Sequence, residues 1–286
     1  MYDGIKKPLL KIFLILENIL ISVLIFYFII NNFKDFNKSF FYYLYIFDIF
    51  ISENYLFFFI SLLFSILVLL SQALLWKKIF EINNINIKYL SSLNLFSLIH
   101  FKRLFSPFGP ISPILNIGGD IKKSTFIYST YIIFITLGSI FFFFSALASI
   151  YPNLIILFSL LFFLILKLLT KRKLGNLNFK NFFILIFLSY LNEFFSYATF
   201  LFSLKIFSLN IDFYNSLFIY LTWVIVSSLF PFLYGTGSSE LTSIYLANYL
   251  GYDSALFALG IIFYRIIITY FPILFLILTK IIKLRK

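Results

Sequence analysis

The stretch Phe230–Gly251, FPFLYGTGSSELTSIYLANYLG, decides how this chain folds, because it places a proline, three glycines and a glutamate within an otherwise apolar sequence. Non-helical backbone at membrane depth is tolerated only where protein or a water-filled cavity surrounds it. We therefore expect a cavity at Gly235 and Gly237. The residues that follow, Leu241–Leu250, are predicted to form a half-helix whose N-terminus faces this cavity and favours an anion.

The composition places the chain in a lipid bilayer. Of its 286 residues, 62% are hydrophobic and only 12% are charged, against roughly 25% charged in an average soluble domain. Six segments reach the roughly 20 apolar residues that a membrane-crossing helix needs. They are Leu9–Ile30, Tyr55–Trp76, Thr125–Ile150, Pro152–Thr170, Phe182–Phe207 and Ala255–Leu278. We predict an all-α, polytopic helical bundle that forms a single membrane domain over residues 1–286.

Two further apolar regions are interrupted by proline and glycine, and we predict that both are broken or re-entrant hairpins. The first, Tyr89–Gly119, contains Pro107 and Gly109, and the second, Tyr214–Gly251, contains Pro231, Gly235 and Gly237. Each hairpin lies between two full spans, so residues 55–150 and 182–278 form two similar halves. This arrangement indicates inverted repeats, in which discontinuous helices build a substrate site near the membrane midplane.

The basic residues predict the orientation of the spans. Cytoplasmic loops of membrane proteins carry an excess of Lys and Arg, and 19 of the 23 basic residues fall on one side if the N-terminus is cytoplasmic. The outer side has Lys34, Lys38 and Lys205, while Arg265 lies within the last span. The count requires each hairpin to begin and end on the same side. We predict a multi-pass protein of the cytoplasmic membrane with both termini in the cytoplasm.

Ionisable residues inside the spans are candidate functional residues, because a charge in hydrocarbon is costly unless it is paired. Glu193 lies in the middle of its span, and Arg265 keeps its charge at any physiological pH. Glu240 and Arg265 are equally far, in opposite directions along the chain, from a predicted turn at Tyr252–Asp253. We therefore predict that Glu240 and Arg265 lie at one depth and pair with each other.

Each candidate also has a purely structural interpretation. Glu240 can cap a helix at the outer interface, and Glu193 can be a neutral acid bonded to a neighbouring helix. Arg265 can face Glu193 instead of Glu240. Lys102 and Arg103 can lie in a surface loop where basic side chains meet anionic lipid headgroups. The sequence leaves these alternatives open.

The residue types argue against several classes of function. The chain has no Cys and one His, so we predict no metal site and no cofactor. Its basic residues flank apolar spans instead of covering one face, and nucleic acid is therefore not an expected partner. No pair of nucleophile and base is visible, which makes an enzyme the less favoured class. A scaffold without a substrate would not need buried charges.

A set of proline, glycine, tyrosine and charged residues surrounds both hairpins. It consists of Ser106–Phe134, Pro231, Gly235, Gly237, Glu240, Tyr249–Gly251, Tyr264–Arg265 and Thr269–Pro272. This set resembles the transmembrane region of the lysylphosphatidylglycerol synthase family, also called flippase-like membrane proteins. The resemblance implies a membrane domain that moves amphipathic lipids, including aminoacylated phosphatidylglycerol, between leaflets. Because the chain has no soluble synthase domain, we expect a separate lipid-modifying enzyme as a partner.

Together these observations predict a flippase-like protein that moves or binds an amphipathic phospholipid within the bilayer. The expected substrate-binding residues are Lys102, Arg103, Pro107, Gly109, Glu193, Pro231, Gly235, Gly237, Glu240 and Arg265. The basic residues would contact phosphate, the glutamates would contact an amino headgroup or a coupling proton, and the glycines would let backbone approach. The alternative is an intramembrane transferase acting on a lipid or polyprenyl-phosphate, with Glu193 or Glu240 as its general base.

Single-cysteine labelling tests the predicted orientation, because the chain has no native cysteine. In intact cells, a membrane-impermeant maleimide should label Asp253→Cys and should reach Lys173→Cys only after permeabilisation, since the basic loop is predicted to be cytoplasmic. Labelling of both variants in permeabilised cells is the control for thiol reactivity. External labelling at position 173 would contradict the orientation.

Overall fold

The structure is a computed structural model that describes residues 40–103, 113–114, 120–150, 178–229 and 238–284. Within these residues the regular structure is helical. The helices are α1 (Phe40–Glu53), α2 (Tyr55–Ile82), α3 (Tyr89–Arg103), α4 (Ile121–Ile150), α5 (Phe179–Ile206), α6 (Phe213–Leu229), α7 (Ser238–Tyr249), α8 (Ser254–Arg265) and α9 (Phe271–Leu284). A π-helical turn, Ile266–Tyr270, joins α8 directly to α9.

Four of the described helical segments are long and apolar enough to cross a membrane, and they confirm four of the six predicted spans. The segments are Tyr55–Ile82, Ile121–Ala148, Phe179–Ile206 and Ser254–Thr279. The other two predicted spans, Leu9–Ile30 and Pro152–Thr170, lie outside the described residues. Helix α1 is not among the predicted elements. It lies between the predicted spans Leu9–Ile30 and Tyr55–Trp76, in a segment predicted to be a connection on the outer side of the membrane. At 14 residues, α1 is shorter than the roughly 20 residues of a crossing helix.

The turn between α7 and α8 is fixed by Gly251 and Asp253. Gly251 has a φ of 85°, and the next N–H, that of Tyr252, donates to the Ala247 carbonyl at 3.0 Å. This is the Schellman arrangement that ends a helix at a glycine. Asp253 caps α8 by accepting two N–H groups of its first turn at 2.8 and 2.9 Å. The predicted turn at Tyr252–Asp253 is therefore confirmed, and α7 is the predicted half-helix, begun three residues earlier.

A polar cluster holds this turn next to the start of α6. The hydroxyl of Tyr252 donates to Asp212 Oδ2 at 2.9 Å, and the Asn215 side-chain amide donates to the same oxygen at 2.6 Å. The Asn215 backbone N–H also donates to Asp212, and this bond is the main reason that the pKa of the Asp212 carboxyl lies below its ordinary value. The start of α6 and the end of α7 are thus held together, and the two helices pack against each other.

The described residues group into two compact units. Of the described residues, unit 1 contains 40–62, 101–103, 199–229 and 238–267, and unit 2 contains 63–100, 113–114, 120–150, 178–198 and 268–284. Each unit contains residues from both predicted halves, 55–150 and 182–278. The inverted repeat stays a prediction.

In unit 1, α2 and α5 contact each other through small polar residues. The Ser61 hydroxyl lies 3.0 Å from that of Ser203 and donates to the Thr199 carbonyl at 3.3 Å, and all three residues are buried. Just before α2, the Asn54 side chain donates to the Ile206 carbonyl at 3.0 Å. Residue numbers fall on one helix as they rise on the other, so these segments are antiparallel. Small polar residues at helix contacts let backbones approach and supply interhelical hydrogen bonds.

In unit 2, the core contains a polar contact as well as apolar packing. Tyr131 of α4 stacks on Trp76 of α2, with ring centroids 4.3 Å apart, and its hydroxyl donates to Gln72 at 3.1 Å. Ser71 of α2 donates to the side-chain oxygen of Asn192 on α5 at 3.3 Å. These four polar side chains are therefore bonded across helices, as groups shielded from water require, whereas Trp76 Nε1, Ser124 Oγ and Ser189 Oγ of this unit have no partner among the described residues.

Helices α4 and α5 approach each other closely at Gly138. A Cβ placed on Gly138 would lie 2.4 Å from the Cβ of Ser189, so the glycine is what permits this distance. Aromatic contacts flank this point, Phe134 with Phe182 at 5.7 Å and Phe142 with Tyr197 at 5.6 Å between ring centroids. Because these numbers rise together, α4 and α5 run parallel. The predicted topology requires α4 and α5 to run parallel. Which side of the membrane their ends face stays a prediction.

Replacing Gly138 by alanine should destabilise the protein, because the added methyl group collides with both the side chain and the backbone of Ser189. The expected loss of unfolding free energy is about 1–3 kcal/mol, the usual cost of overpacking, measured by denaturant titration in detergent. Ser139→Ala is the matched control, since the Ser139 hydroxyl bonds to a carbonyl of its own helix, that of Ile135, at 3.0 Å. Equal losses would show that the close approach does not matter.

Candidate functional site

The site is built on α7 and α8, which the turn at Gly251 and Asp253 folds against each other. Helix α7 contacts both α6 and α8. Its buried face consists of Ser239, Glu240, Ser243 and Ala247. Three of these residues are small, which lets α7 lie close to its neighbours. Glu240 is the charged residue on this face.

Glu240 and Arg265 form a buried ion pair. Arg265 Nε donates to Glu240 Oε1 at 2.6 Å, and each side chain is 12% exposed. The distance is short, as is usual for hydrogen bonds between two charged groups. Both residues lie about 16–18 Å of helix away from the shared turn at 1.5 Å per residue. The pairing predicted from their equal spacing is therefore confirmed.

Ser239 and Trp223 complete the surroundings of Arg265. The Ser239 hydroxyl donates to Glu240 Oε2 at 3.0 Å and accepts from Arg265 Nη2 at 3.4 Å. Trp223 of α6 lies under the guanidinium, whose Cζ is 4.9 Å from the centroid of the indole, within the range of a cation–π contact. The ring of Trp223 packs edge-on against Tyr264 at 5.3 Å. A carboxylate, a hydroxyl and an aromatic face thus hold the guanidinium together.

A cluster of buried aromatic rings packs beside the pair. Phe200 of α5 contacts Tyr220 and Tyr264 with centroids 5.3 and 5.4 Å apart. Tyr220 in turn lies nearly parallel to Trp223 at 6.3 Å. These rings are almost fully buried, so they keep water away from the pair. Electrostatic attraction is stronger in such a low-dielectric environment than in water.

The chain changes from an α-helix to a π-helical turn directly after Arg265. Pro272, two residues beyond this turn, has no N–H to offer to the Ile268 carbonyl, and its ring would collide with that carbonyl in a regular α-helix. The π turn over Ile266–Tyr270 is the local response to this proline. Turns of this kind are rare in proteins, and those that occur are often found at functional sites.

Of the predicted site residues, the structure brings Glu240 and Arg265 together. Glu193 is buried on α5 in unit 2. Lys102 and Arg103 are the last two residues of α3, and their side-chain positions are outside what the structure describes. Pro107, Gly109, Pro231, Gly235 and Gly237 lie outside the described residues. The proposed roles of these eight residues stay predictions.

Ser239 and Trp223 are site residues that were not predicted from the sequence. Ser239 adjoins Glu240, and a serine beside a buried carboxylate is a natural local donor, so this residue carried a recognisable signal. Trp223 lies on a different helix, far from Arg265 in the chain. Its sequence surroundings are apolar like those of most residues in the spans, so its place beside the guanidinium follows only from helix packing.

No family model, curated protein or solved structure matches the chain. The resemblance to the lysylphosphatidylglycerol synthase transmembrane region therefore rests on the motif residues alone. Within the part of the chain that the structure describes, no group of three or more His, Asp or Glu side chains is placed to hold a metal ion. The chemistry available at the site is that of one carboxylate, one guanidinium, hydroxyl groups and an aromatic face.

A double-mutant cycle tests the energetic coupling of the pair. Glu240→Gln and Arg265→Gln should each cost about 3–5 kcal/mol of unfolding free energy, because each leaves the other charge buried without its partner. The double variant should recover part of this loss. Glu81→Gln is the control: Glu81 pairs with Lys77 and Lys78 at 3.6 and 3.2 Å in a partly exposed position, where such pairs contribute less than about 1 kcal/mol. Strictly additive losses at 240 and 265 would contradict the coupling.

Proposed function

We propose that this chain is an integral membrane protein that binds an amphipathic phospholipid by its headgroup and moves it between leaflets. The observation that carries the proposal is the buried Glu240–Arg265 pair. A buried ion pair contributes little or no net stability relative to apolar residues of similar volume, so stability alone is a weak reason for its presence. A headgroup with a phosphate and an amine carries both charges that the pair needs. Its phosphate can replace Glu240 at Arg265, and its amine can replace Arg265 at Glu240.

In the proposed mechanism the pair opens and each residue binds the opposite charge of the headgroup. Arg265 binds the phosphate, because a planar guanidinium matches phosphate oxygens with two parallel hydrogen bonds. Glu240 binds the amine, while the acyl chains remain in lipid. Both charges are compensated before and after opening, which avoids the large cost of a lone charge in hydrocarbon.

The length of α7 supports a site at membrane depth. Its 12 residues span about 18 Å, less than the roughly 30 Å of hydrocarbon that a crossing helix must cover. If its end at Tyr249 lies near the outer interface, as the predicted topology requires, its start at Ser238 lies within the bilayer. The pair is then below the interface, in the path of a headgroup.

The family resemblance supports the nature of the lipid. Glu240, Tyr249–Gly251 and Arg265 belong to the motif that resembles the lysylphosphatidylglycerol synthase transmembrane region, and in the structure all of them lie in unit 1. We propose aminoacylated phosphatidylglycerol or a related phospholipid as the substrate, supplied by a separate lipid-modifying enzyme. A location in the cytoplasmic membrane with both termini in the cytoplasm is part of this proposal.

Reconstitution into vesicles with fluorescent phospholipids tests the proposal. Protein-containing vesicles should show faster exchange of labelled aminoacyl-phosphatidylglycerol between leaflets than empty vesicles, measured by the loss of fluorescence when a reductant is added outside. Glu240→Gln and Arg265→Gln should each slow the exchange at least tenfold, because each removes one charge that receives the headgroup. The Glu81→Gln protein should match the unmodified one.

Mass spectrometry of the same vesicles separates transport from catalysis. Unaltered lipids together with exchange support a transporter, whereas a new lipid species would point to the intramembrane transferase. Normal exchange in both pair variants would remove Glu240 and Arg265 from the mechanism. Exchange no faster than in empty vesicles, across phosphatidylglycerol, its aminoacyl form and phosphatidylethanolamine, would contradict the function.

A further inference from the structure

Three buried polar groups on α6 and α7 have no hydrogen-bond partner among the described residues. They are Trp223 Nε1, Ser227 Oγ and Ser243 Oγ. Trp223 is 8% exposed and Ser243 is fully buried. Buried polar groups in folded proteins are nearly always hydrogen-bonded, so groups of this kind point to a partner that is not part of the helices themselves.

All three groups belong to, or lie one helical turn from, a residue that contacts Arg265. Trp223 carries the guanidinium on its ring face, and Ser227 follows it by one helical turn on α6. Ser243 follows Ser239 by one turn on α7, about 6 Å along the same buried face, and Ser239 contacts Arg265. Helices α6 and α7 pack against each other. Ser227 and Ser243 therefore each lie one helical turn from a residue that contacts Arg265.

All of these groups can donate a hydrogen bond. An indole N–H and a guanidinium can only donate, while a serine hydroxyl can donate as well as accept. Glu240 is the acceptor already in place, and it receives bonds from Arg265 and Ser239. A ligand that accepts from the indole N–H and both hydroxyls brings several acceptor oxygens, and one that also replaces Glu240 at Arg265 brings a negative charge. A phosphate group has both, whereas an amine has neither.

We infer that Arg265, Trp223, Ser227 and Ser243 form an oxyanion subsite that takes a phosphate group, and that Glu240 is its resident competitor for Arg265. The inference rests on the proposed function and deepens it by naming the phosphate as the recognised part of the headgroup. When Glu240 leaves, the indole face keeps the guanidinium in place while the indole N–H and the Ser243 hydroxyl bind phosphate oxygens. Recognition of the phosphate by this subsite then needs no amino group, while an amine, where the headgroup carries one, compensates the charge of Glu240.

Trp223 itself is the reporter for the test. The chain has two tryptophans, so the Trp76→Phe protein in detergent contains Trp223 as its single indole fluorophore. Three probes are titrated: dihexanoyl-phosphatidylglycerol, inorganic phosphate and dihexanoylglycerol, which lacks phosphate. The short-chain phospholipid should change the Trp223 emission in a saturable manner, and dihexanoylglycerol should not. Should Trp76→Phe fail to fold, 5-fluorotryptophan in the native sequence gives two resonances by fluorine NMR, and one should respond.

Two variants in the same background make the test specific. Ser243→Ala should weaken the binding of the short-chain phospholipid at least tenfold, and Arg265→Gln should abolish the response. Thr242→Ala is the matched control, because this neighbouring hydroxyl already bonds to the Ser238 carbonyl of its own helix at 2.7 Å. Its affinity should equal that of the parent protein.

The outcomes separate this inference from the proposed function. An equal response to dihexanoylglycerol, or equal effects of Ser243→Ala and Thr242→Ala, would overturn the subsite. A silent Trp223 in a protein that still exchanges phosphatidylglycerol between leaflets would overturn the subsite and leave the function standing. A response to inorganic phosphate as strong as that to the lipid would support the subsite, assign it to free phosphate and count against lipid movement.

Discussion

A permanent positive charge inside an apolar helix is the constraint on which the organisation of unit 1 depends. Arg265 cannot lose its proton, so neighbouring helices have to compensate its charge. Helix α7 supplies the carboxylate of Glu240 and the hydroxyl of Ser239, and α6 supplies the face of Trp223. These groups come from two helices, and they meet at the guanidinium of a third helix, α8.

The same constraint explains the short connection between α7 and α8. A carboxylate on one helix meets a guanidinium on the next only if both are equally far from the turn and the turn is tight. The positive φ of Gly251 ends α7 and the carboxylate of Asp253 starts α8 within a few residues. Tyr252, between them, bonds to Asp212 before α6. The backbone geometry of the turn therefore determines where Glu240 and Arg265 meet.

The arrangement that holds the charge pair fits the proposed exchange of Glu240 for an anionic ligand. Glu240 neutralises Arg265, yet the indole face contacts the guanidinium independently of Glu240, so Arg265 has a contact that does not depend on its carboxylate partner. An anionic ligand competes with a side chain, which is a smaller barrier than bringing a charge into bare hydrocarbon. Two other buried contacts between helices, Ser61 with Ser203 and Ser71 with Asn192, join neutral groups. They fix helix packing and offer no charge to exchange.

The sequence alone determined that the protein is helical and has membrane-spanning segments, and it located four of these spans. It also determined the turn at Tyr252–Asp253 and the pairing of Glu240 with Arg265. These features depend on local composition or on spacing along two consecutive helices, where 1.5 Å per residue converts sequence distance into depth. Tertiary structure alone decided that Trp223 lies under Arg265, that Gly138 brings α4 against Ser189, and that α1 is a helix. Contacts between helices distant in sequence depend on the rotation and crossing of each helix, and an apolar sequence with similar residues on every face does not specify either one.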